Sequence, residues 1–344
     1  MAMWFKQKGP ESDVVVSSRV RLARNLSRYP FPFKMDEKQQ KEVIEKVVSA
    51  VKKDNERTYR VYDIKNMDLI TKVSLVEKHL ISRDMAQAQN FRALIISEEQ
   101  NVSLMVNEED HIRLQCILPG MQISEAWKLC DTVDTVIEKE VDYAFDKNLG
   151  YLTSCPTNLG TGIRASVMLH LPALTMTGYV GRIFEACSKL GVAVRGLYGE
   201  NSEASGDMFQ ISNQVTLGQN EEEIVKSIEN IATQIISQER MLREELYKQN
   251  KTRFEDKIMR SYGIIRNARI MSSEEAMKLL SDVRLGVYMG IIKDIRPETL
   301  NEMLVAIQPA SLQKRCKTDL NPEQRDIIRA EVLRNIFSNT QDNS

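Results

Sequence analysis

Ser154-Cys155-Pro156-Thr157-Asn158-Leu159-Gly160-Thr161-Gly162-Ile163-Arg164 is the stretch on which the reading of this chain turns. A strand that begins at Gly150 runs into it and breaks at Cys155-Pro156. A loop of Gly, Thr and Asn follows, and Arg164-Ala165-Ser166-Val167-Met168-Leu169-His170-Leu171 then reads as helical. Backbone amides at a helix entrance favour anions, and Arg164 adds a guanidinium there. Cys155 stands close to that charge, which would stabilise its thiolate. A buried structural cysteine fits the same place, and no Cys-His-Asn order marks a protease nucleophile.

Three other segments gather charge where a core would reject it. Upstream, Asn107-Glu108-Glu109-Asp110-His111-Ile112-Arg113 puts three adjacent carboxylates at a strand boundary. They need cations, a metal or solvent beside them, so the alternatives are a guanidinium or metal-water site and an exposed acidic turn. Further upstream is Ser17-Ser18-Arg19-Val20-Arg21, followed by Arg24 and Asn25. In a strand Arg19 and Arg21 point to one face, suited either to phosphate or to solvent on an edge strand. Downstream, Arg195-Gly196-Leu197-Tyr198-Gly199-Glu200 reads as a loop that closes over a ligand or as ordinary surface.

Around these segments the chain has the composition of a globular protein. Its 344 residues are 42% hydrophobic, enough for a large core and for two domains. A formal net charge of -1 and an aromatic share of 6% give no general reason to expect nucleic-acid or membrane binding. Cys116, Cys130, Cys155, Cys187 and Cys316 are odd in number and widely spaced, which disfavours a disulfide scaffold or structural zinc and suggests a reducing compartment. The N-terminus lacks a signal-peptide pattern, and no run approaches the roughly 18 apolar residues of a membrane span, so a cytoplasmic protein is expected. Periodicity predicts a helix over 36–53, strands at 92–97, 102–106 and 111–118, and a helix capped by Ser124 reaching Tyr143. A long helix over 221–248 follows, then helices near 252–268, 273–285, 297–307 and 322–337, with Ser272 and Glu275 at capping-box spacing.

Taken together, SSRVR, NEEDH with Arg113, CPTNLGT with Arg164, and RGLYGE resemble the phosphagen kinases, the creatine and arginine kinase family, in order and separation. The resemblance runs from about Glu11 to Arg243. It implies an α+β fold: a catalytic domain over 11–243, with an antiparallel sheet flanked by helices, and a helical C-terminal domain over 244–344. It implies ATP and Mg²⁺ as cofactors, with Arg19, Arg21, Arg113, Arg164 and Arg195 clamping the phosphates. The wider nucleotide-contacting set it carries over is Ser17, Ser18 and Val20; Ala165, Ser166, Val167 and Met168; Gly196, Leu197, Tyr198 and Gly199; and His79. Glu109 and Glu200 would grip the substrate guanidinium, Cys155 would tune the site electrostatically, and Glu108 would face the Mg²⁺ shell through water.

The family carries a helical domain before SSRVR that encloses small guanidino substrates. Here 16 residues precede Ser17, and a helical segment follows Arg243 instead. That arrangement resembles the bacterial branch of the family that phosphorylates arginine in proteins. The branch implies a phosphoarginine pocket at Arg325, Asp326, Arg329 and Ala330, where Arg325 and Arg329 are one helical turn apart. It also implies a homodimer or larger assembly, an McsA-type activator, a CtsR-like repressor and unfolded proteins as substrates, and a ClpC-type AAA+ protease acting downstream with ClpP. A small-molecule guanidino kinase and a non-catalytic phosphoarginine adaptor are the competing expectations.

Overall fold

A computed structural model describes residues 3–88, 90–196 and 205–339. In chain order the first part holds β1 (Val15–Arg24), α1 (Glu37–Val51), β2 (Tyr59–Asp63), α2 (Leu69–Glu77), α3 (Arg83–Gln87), β3 (Ala93–Ser97), β4 (Val102–Val106) and β5 (Ile112–Pro119). Then come α4 (Ile123–Glu138), the small hairpin β6 (Phe145–Asp146) and β7 (Gly150–Tyr151), β8 (Ile163–His170), α5 (Pro172–Met176), α6 (Val180–Lys189), β9 (Val192–Gly196) and β10 (Met208–Asn213). The rest is helical: α7 (Glu221–Gln249), α8 (Lys251–Asn267), α9 (Ser273–Tyr288), α10 (Pro297–Ala306), α11 (Pro309–Cys316) and α12 (Pro322–Asn339).

Among the described residues eight strands form one antiparallel sheet in the order β2-β3-β4-β5-β1-β8-β10-β9. β1, which carries SSRVR, is central, so the edge-strand alternative for that segment is excluded. The segment after CPTNLGT is the strand β8 and not the expected helix. Its period is two: Ala165, Val167 and Leu169 are buried in the main core while Arg164, Ser166 and Met168 alternate with them. Lying between β1 and β10 settles the ambiguity that a short mixed run leaves open.

One face of the sheet, through Val20, Leu22, Leu104, Leu114 and Ile211, packs on Val43 and Val47 of α1, Cys130 and Val133 of α4, and Ile224 and Ile228 of α7. Each large aliphatic side chain buried there contributes about 1.5–3 kcal/mol. Capping boxes at Asp36 and Asn220 start α1 and α7. Among the described residues the opposite face is covered at its margins. Leu94, Ile96 and Met105 pack on Ile64, Leu80 and Met85. Val16, Ile117 and Met208 pack with Trp4 against the helices that follow α7. Ser124 does not cap α4; the helix starts at Ile123, and the Ser124 hydroxyl donates to Glu229 Oε2 at 3.1 Å. The short helix α11 lay outside the periodicity reading. Among the described residues no helix is long and apolar enough to cross a membrane.

The end of β1 is tied to α4 and to the loop that enters β8. Arg24, 2% exposed, donates from Nε to Asp134 Oδ2 at 2.9 Å and from Nη1 to the carbonyl of Thr161 at 2.9 Å, and its guanidinium lies 3.6 Å from the Tyr151 ring centre. Tyr143 donates to the other Asp134 oxygen at 2.8 Å. Gly162, at φ +64°, lets this happen, because a Cβ there would stand 2.7 Å from Arg24 Nη1 and 2.6 Å from the Ala23 carbonyl. Asp134→Ala would leave the buried guanidinium without its counter-charge. We expect a loss of about 3–5 kcal/mol of unfolding free energy in urea titration. A shift of only a few tenths would show that the pair is not a fold determinant.

Candidate active site

The uncovered part of the sheet face is where the charged segments meet. Strand register fixes the rows. Arg21 stands across from Arg164 on one side and Gln115 on the other. Arg19 stands across from Ser166, and Gln210 lies between Met168 and Arg195. Arg19, Arg21, Arg113, Arg164 and Arg195 thereby line one cavity of about 360 Å³ with Glu109, Cys155, Thr157, Asn158, Gly196 and Gln210.

Burial comes first in its electrostatics, and crowding of like charge adds to it. Burial lowers Arg19 to about 10, with Arg113 and Arg164 pushing the same way. Burial also holds Arg21 well below the usual guanidinium range, and Arg19, Arg113 and Arg164 add to that. The Nε of Arg21 is buried with no hydrogen-bond partner. Neutral acceptors take two of the others: Gln210 Oε1 accepts from Arg19 Nη2 at 2.7 Å, and Ser212 Oγ from Arg164 Nη2 at 3.3 Å. A wall of desolvated cations with an orphaned donor is built for an anion rich in oxygen acceptors.

The NEEDH turn divides its labour. Asn107, at φ +60°, donates to the carbonyls of Gln40 at 3.0 Å and Phe91 at 3.3 Å. Asp110 Oδ1 accepts from Asn25 Nδ2 and from the Ser154 amide, both at 2.7 Å, which ties the turn to the CPTNLGT loop. His111 Nδ1 accepts the Leu26 amide at 3.0 Å, leaving Nε2 to donate to the Pro30 carbonyl at 2.9 Å. Glu108 is held by protein groups. Its buried carboxylate accepts from Arg113 Nη1 at 2.8 Å and from the Ser82 hydroxyl, so both oxygens are engaged by protein. Burial would raise its pKa, but Arg113 outweighs that and holds it below the ordinary value. Glu109 is then the one carboxylate lining the cavity among the described residues. Partial burial and the neighbouring Asp110 push its carboxyl up, against the pull of Arg113.

From the arginine wall a narrow passage lined by Ser17, Arg19, His79, Ser166, Met168 and Gln210 leads along β1 and β8. It joins an apolar cavity of about 600 Å³ between α2 and the C-terminal helices, where Trp4, Val76, Met277 and Leu304 form walls. His79 borders both spaces; burial first and Arg19 second hold its imidazole down at about 4, so it is neutral at pH 7.

Period two also corrects part of the carried-over set. Ser18, Val20, Ala165 and Val167 turn to the core side; Ser18 Oγ donates to the Gly120 carbonyl at 2.8 Å and accepts the Gln122 amide at 3.0 Å. Cys155 lines the cavity, its Sγ 3.0 Å from Thr157 Oγ1. Leu197, Tyr198, Gly199 and Glu200 lie outside the described residues. Gln210, Ser212, Thr157 and Asn158 had no assigned role from sequence. For the first two the signal was present: polar residues alternating with Phe209 and Ile211 in Met208–Asn213.

The α12 motif is also divided. Arg329 is not a free fork. It is 2% exposed, donating from Nε to the Ile307 carbonyl and from Nη1 to the Met271 carbonyl, each at 2.9 Å, and it pairs with Asp326. Ala330 is buried in the helical core. Arg325 is half-buried.

Comparison with known proteins agrees with this geometry. The sequence profile described as ATP:guanido phosphotransferase, C-terminal catalytic domain, matches residues 41–242, and that of the protein-arginine kinase McsB C-terminal domain matches residues 251–344. A protein-arginine kinase of Caldanaerobacter subterraneus is 51% identical over 94% of this chain and 96% of its own length. One of Clostridium tetani is 46% identical over 99% of this chain and 100% of its own. Among solved structures, the duplicated taurocyamine kinase of Schistosoma mansoni with bound transition state analog components is 30% identical with a TM-score of 0.60, covering 67% of this chain; the chain spans about a third (33%) of that duplicated protein. A lombricine kinase at 23% identity and TM-score 0.60 shares the fold. The chain therefore belongs to the ATP:guanido phosphotransferase family, and within it stands with the protein-arginine kinases whose C-terminal domain it shares.

Proposed function

We propose that this protein transfers the γ-phosphoryl group of Mg-ATP to the guanidinium of arginine side chains in proteins. The observation that carries the reading is the wall of five arginines facing the carboxylate of Glu109 in one cavity. Arg19, Arg21, Arg113, Arg164 and Arg195 are placed to receive the polyphosphate and to stabilise the charge on the group in flight. The nucleoside end would follow the passage past Ser17, His79 and Met168. Among the described residues no cluster of three or more ligating side chains is present. Mg²⁺ would enter with the nucleotide, on phosphate oxygens and its own waters.

A guanidinium has a pKa above about 12 and is a poor nucleophile while protonated. Glu109 would orient it and accept its proton as the N–P bond forms and the bond from the γ-phosphorus to the bridging oxygen breaks, releasing ADP, and a raised carboxyl pKa brings the base closer to that task. Cys155 stands on the same wall as an electrostatic neighbour of the reacting nitrogen. Glu200 would supply the second carboxylate. Two things favour protein arginine over a small guanidino substrate: the shared C-terminal domain and the 46–51% identity to proteins named protein-arginine kinases. The same relationship supports the further assignments. The chain is divided into a catalytic domain over 11–243 and a helical domain over 244–344 that forms a homodimer or larger assembly. It acts in the cytoplasm, where the free thiols fit. A CtsR-like repressor and unfolded proteins are its targets, an McsA-type protein its activator, and a ClpC-type protease with ClpP its downstream partner. On α12 the phosphoarginine site narrows to Arg325 and Asp326, with Arg329 holding the helix in place.

The direct test is incubation with Mg-ATP and either free arginine or an unfolded arginine-rich protein, with acid-labile phosphate read by mass spectrometry. Modification of free arginine alone would refute the protein substrate, and modification of neither would refute the kinase. Glu109→Gln should lower kcat by about 10²–10⁴-fold with the KM for ATP nearly unchanged. In the wild type, Glu109 must be ionised to act, so kcat/KM should fall as pH drops through its raised pKa. An acid limb at or below the ordinary carboxylate range would contradict the assignment. Arg325→Ala should weaken binding of a phosphoarginine peptide while basal transfer persists, measured by calorimetry and initial rates; unchanged binding returns Arg325 to the solvated surface.

A further inference from the structure

The cavity wall formed by Cys155, Thr157 and Asn158 belongs to a larger surface that the transfer chemistry does not use. Thr216 Oγ1 donates to the carbonyls of Thr157 at 3.0 Å and Leu159 at 2.6 Å, so the 214–218 turn is fastened to the back of that wall. On the other side the Tyr151 amide donates to the Gly160 carbonyl at 2.8 Å, which fastens the β6–β7 hairpin to the same loop. A Cβ on Gly160 would stand 2.3 Å from the Thr216 carbonyl, so hairpin, loop and turn are in backbone contact. The turn also meets the start of β9, where Val215 Cγ2 is 3.6 Å from the Cβ position of Gly191.

On this joined set of loops Leu190, Val215, Leu217, Phe145 and Leu149 are each between 44% and 64% exposed. Single exposed apolar residues are ordinary; here five are concentrated on segments braced against one another beside a reaction cavity. β9 ends the sheet, with no further strand beyond it among the described residues. It runs from the Leu190–Gly191 turn to Arg195 in the cavity, five residues or about 16 Å of extended chain.

We propose that this rim is the docking surface for the substrate polypeptide, and that it selects extended, unfolded segments carrying apolar side chains within about five residues of the target arginine. The proposal rests on the kinase reading above and adds its selectivity. Continuity with the cavity names the occupant. The cavity presents a carboxylate for a guanidinium, and arginine delivers that group on a long side chain while its backbone stays at the rim. A folded protein keeps its apolar side chains buried and cannot satisfy the rim; an unfolded one satisfies both sites at once.

The test uses the full chain, wild type and a Val215→Ser/Leu217→Ser double variant, with Phe145→Ser as a second. Both alter exposed positions outside the catalytic wall. Initial rates are measured on reduced, carboxymethylated α-lactalbumin and on the tripeptide Gly-Arg-Gly. The double variant should raise KM for the unfolded protein about tenfold, with kcat/KM on the tripeptide held within about twofold. Equal loss on both substrates, or an unchanged KM for the unfolded protein in both variants, overturns the docking surface. A wild-type enzyme that shows the same KM for tripeptide and unfolded protein overturns it as well. No phosphoarginine on either substrate with the wild type rejects the underlying kinase reading, and the docking surface with it.

Discussion

The repulsion among Arg19, Arg21, Arg113 and Arg164 is the constraint around which this molecule is arranged. Putting several guanidinium groups on the central strands of a sheet costs desolvation and mutual repulsion, which the protein relieves in part. Glu108 neutralises Arg113, Gln210 and Ser212 hold Arg19 and Arg164 with neutral oxygens, and Arg21 keeps a donor with no partner. The deficit that remains is the binding energy available to an anion. Adding carboxylates would stabilise the resting protein and weaken its hold on phosphate.

Such a site demands a rigid frame, and the helices after α7 supply part of it. Ser281 of α9 donates to Asp207 Oδ2 at 2.5 Å and meets His170 Nε2 at 2.8 Å, so one hydroxyl joins α9 to the foot of β10 and the end of β8. Arg284 reaches across to the Ser12 carbonyl at 2.8 Å ahead of β1. Glu77 of α2 accepts the amides of Ala310 and Ser311 at 2.7 and 2.8 Å, fixing the start of α11. These contacts run to the strands and segments that carry or border Arg19, Met168 and Gln210. They also close the far wall of the apolar cavity that continues from the site. Arg329 acts in the same framework: by holding the carbonyls of Ile307 and Met271 it pins α12 beside that wall.

Much of this was legible in the residues themselves. The alternation of Arg19 and Arg21 across Val20 already put both on one face, and the capping signal at Ser272 marks a helix start that the structure keeps. What misled was local ambiguity. Arg164 to Leu171 satisfies a helical and a strand pattern about equally over so few residues, and only its place between β1 and β10 decides for the strand. Glu108 and Glu109 are adjacent and chemically identical, yet one is bound by Arg113 and Ser82 and the other is left to the cavity. Arg325 and Arg329 share a helix stripe, but neighbouring helices bury the second.

The sequence by itself determined the inventory and part of the alternation: which segments carry arginine, which turn carries carboxylates, and which long helices have an apolar stripe. Those follow from bonds and periods a few residues long. The tertiary structure decided which charge meets which. Arg113 and Glu108 are five residues apart, but Gln210 reaches Arg19 from 191 residues away and Ser212 reaches Arg164 from 48. Partners at such separations are set by strand order and register, and burial then fixes how strongly each pair interacts. A chain read one segment at a time contains neither.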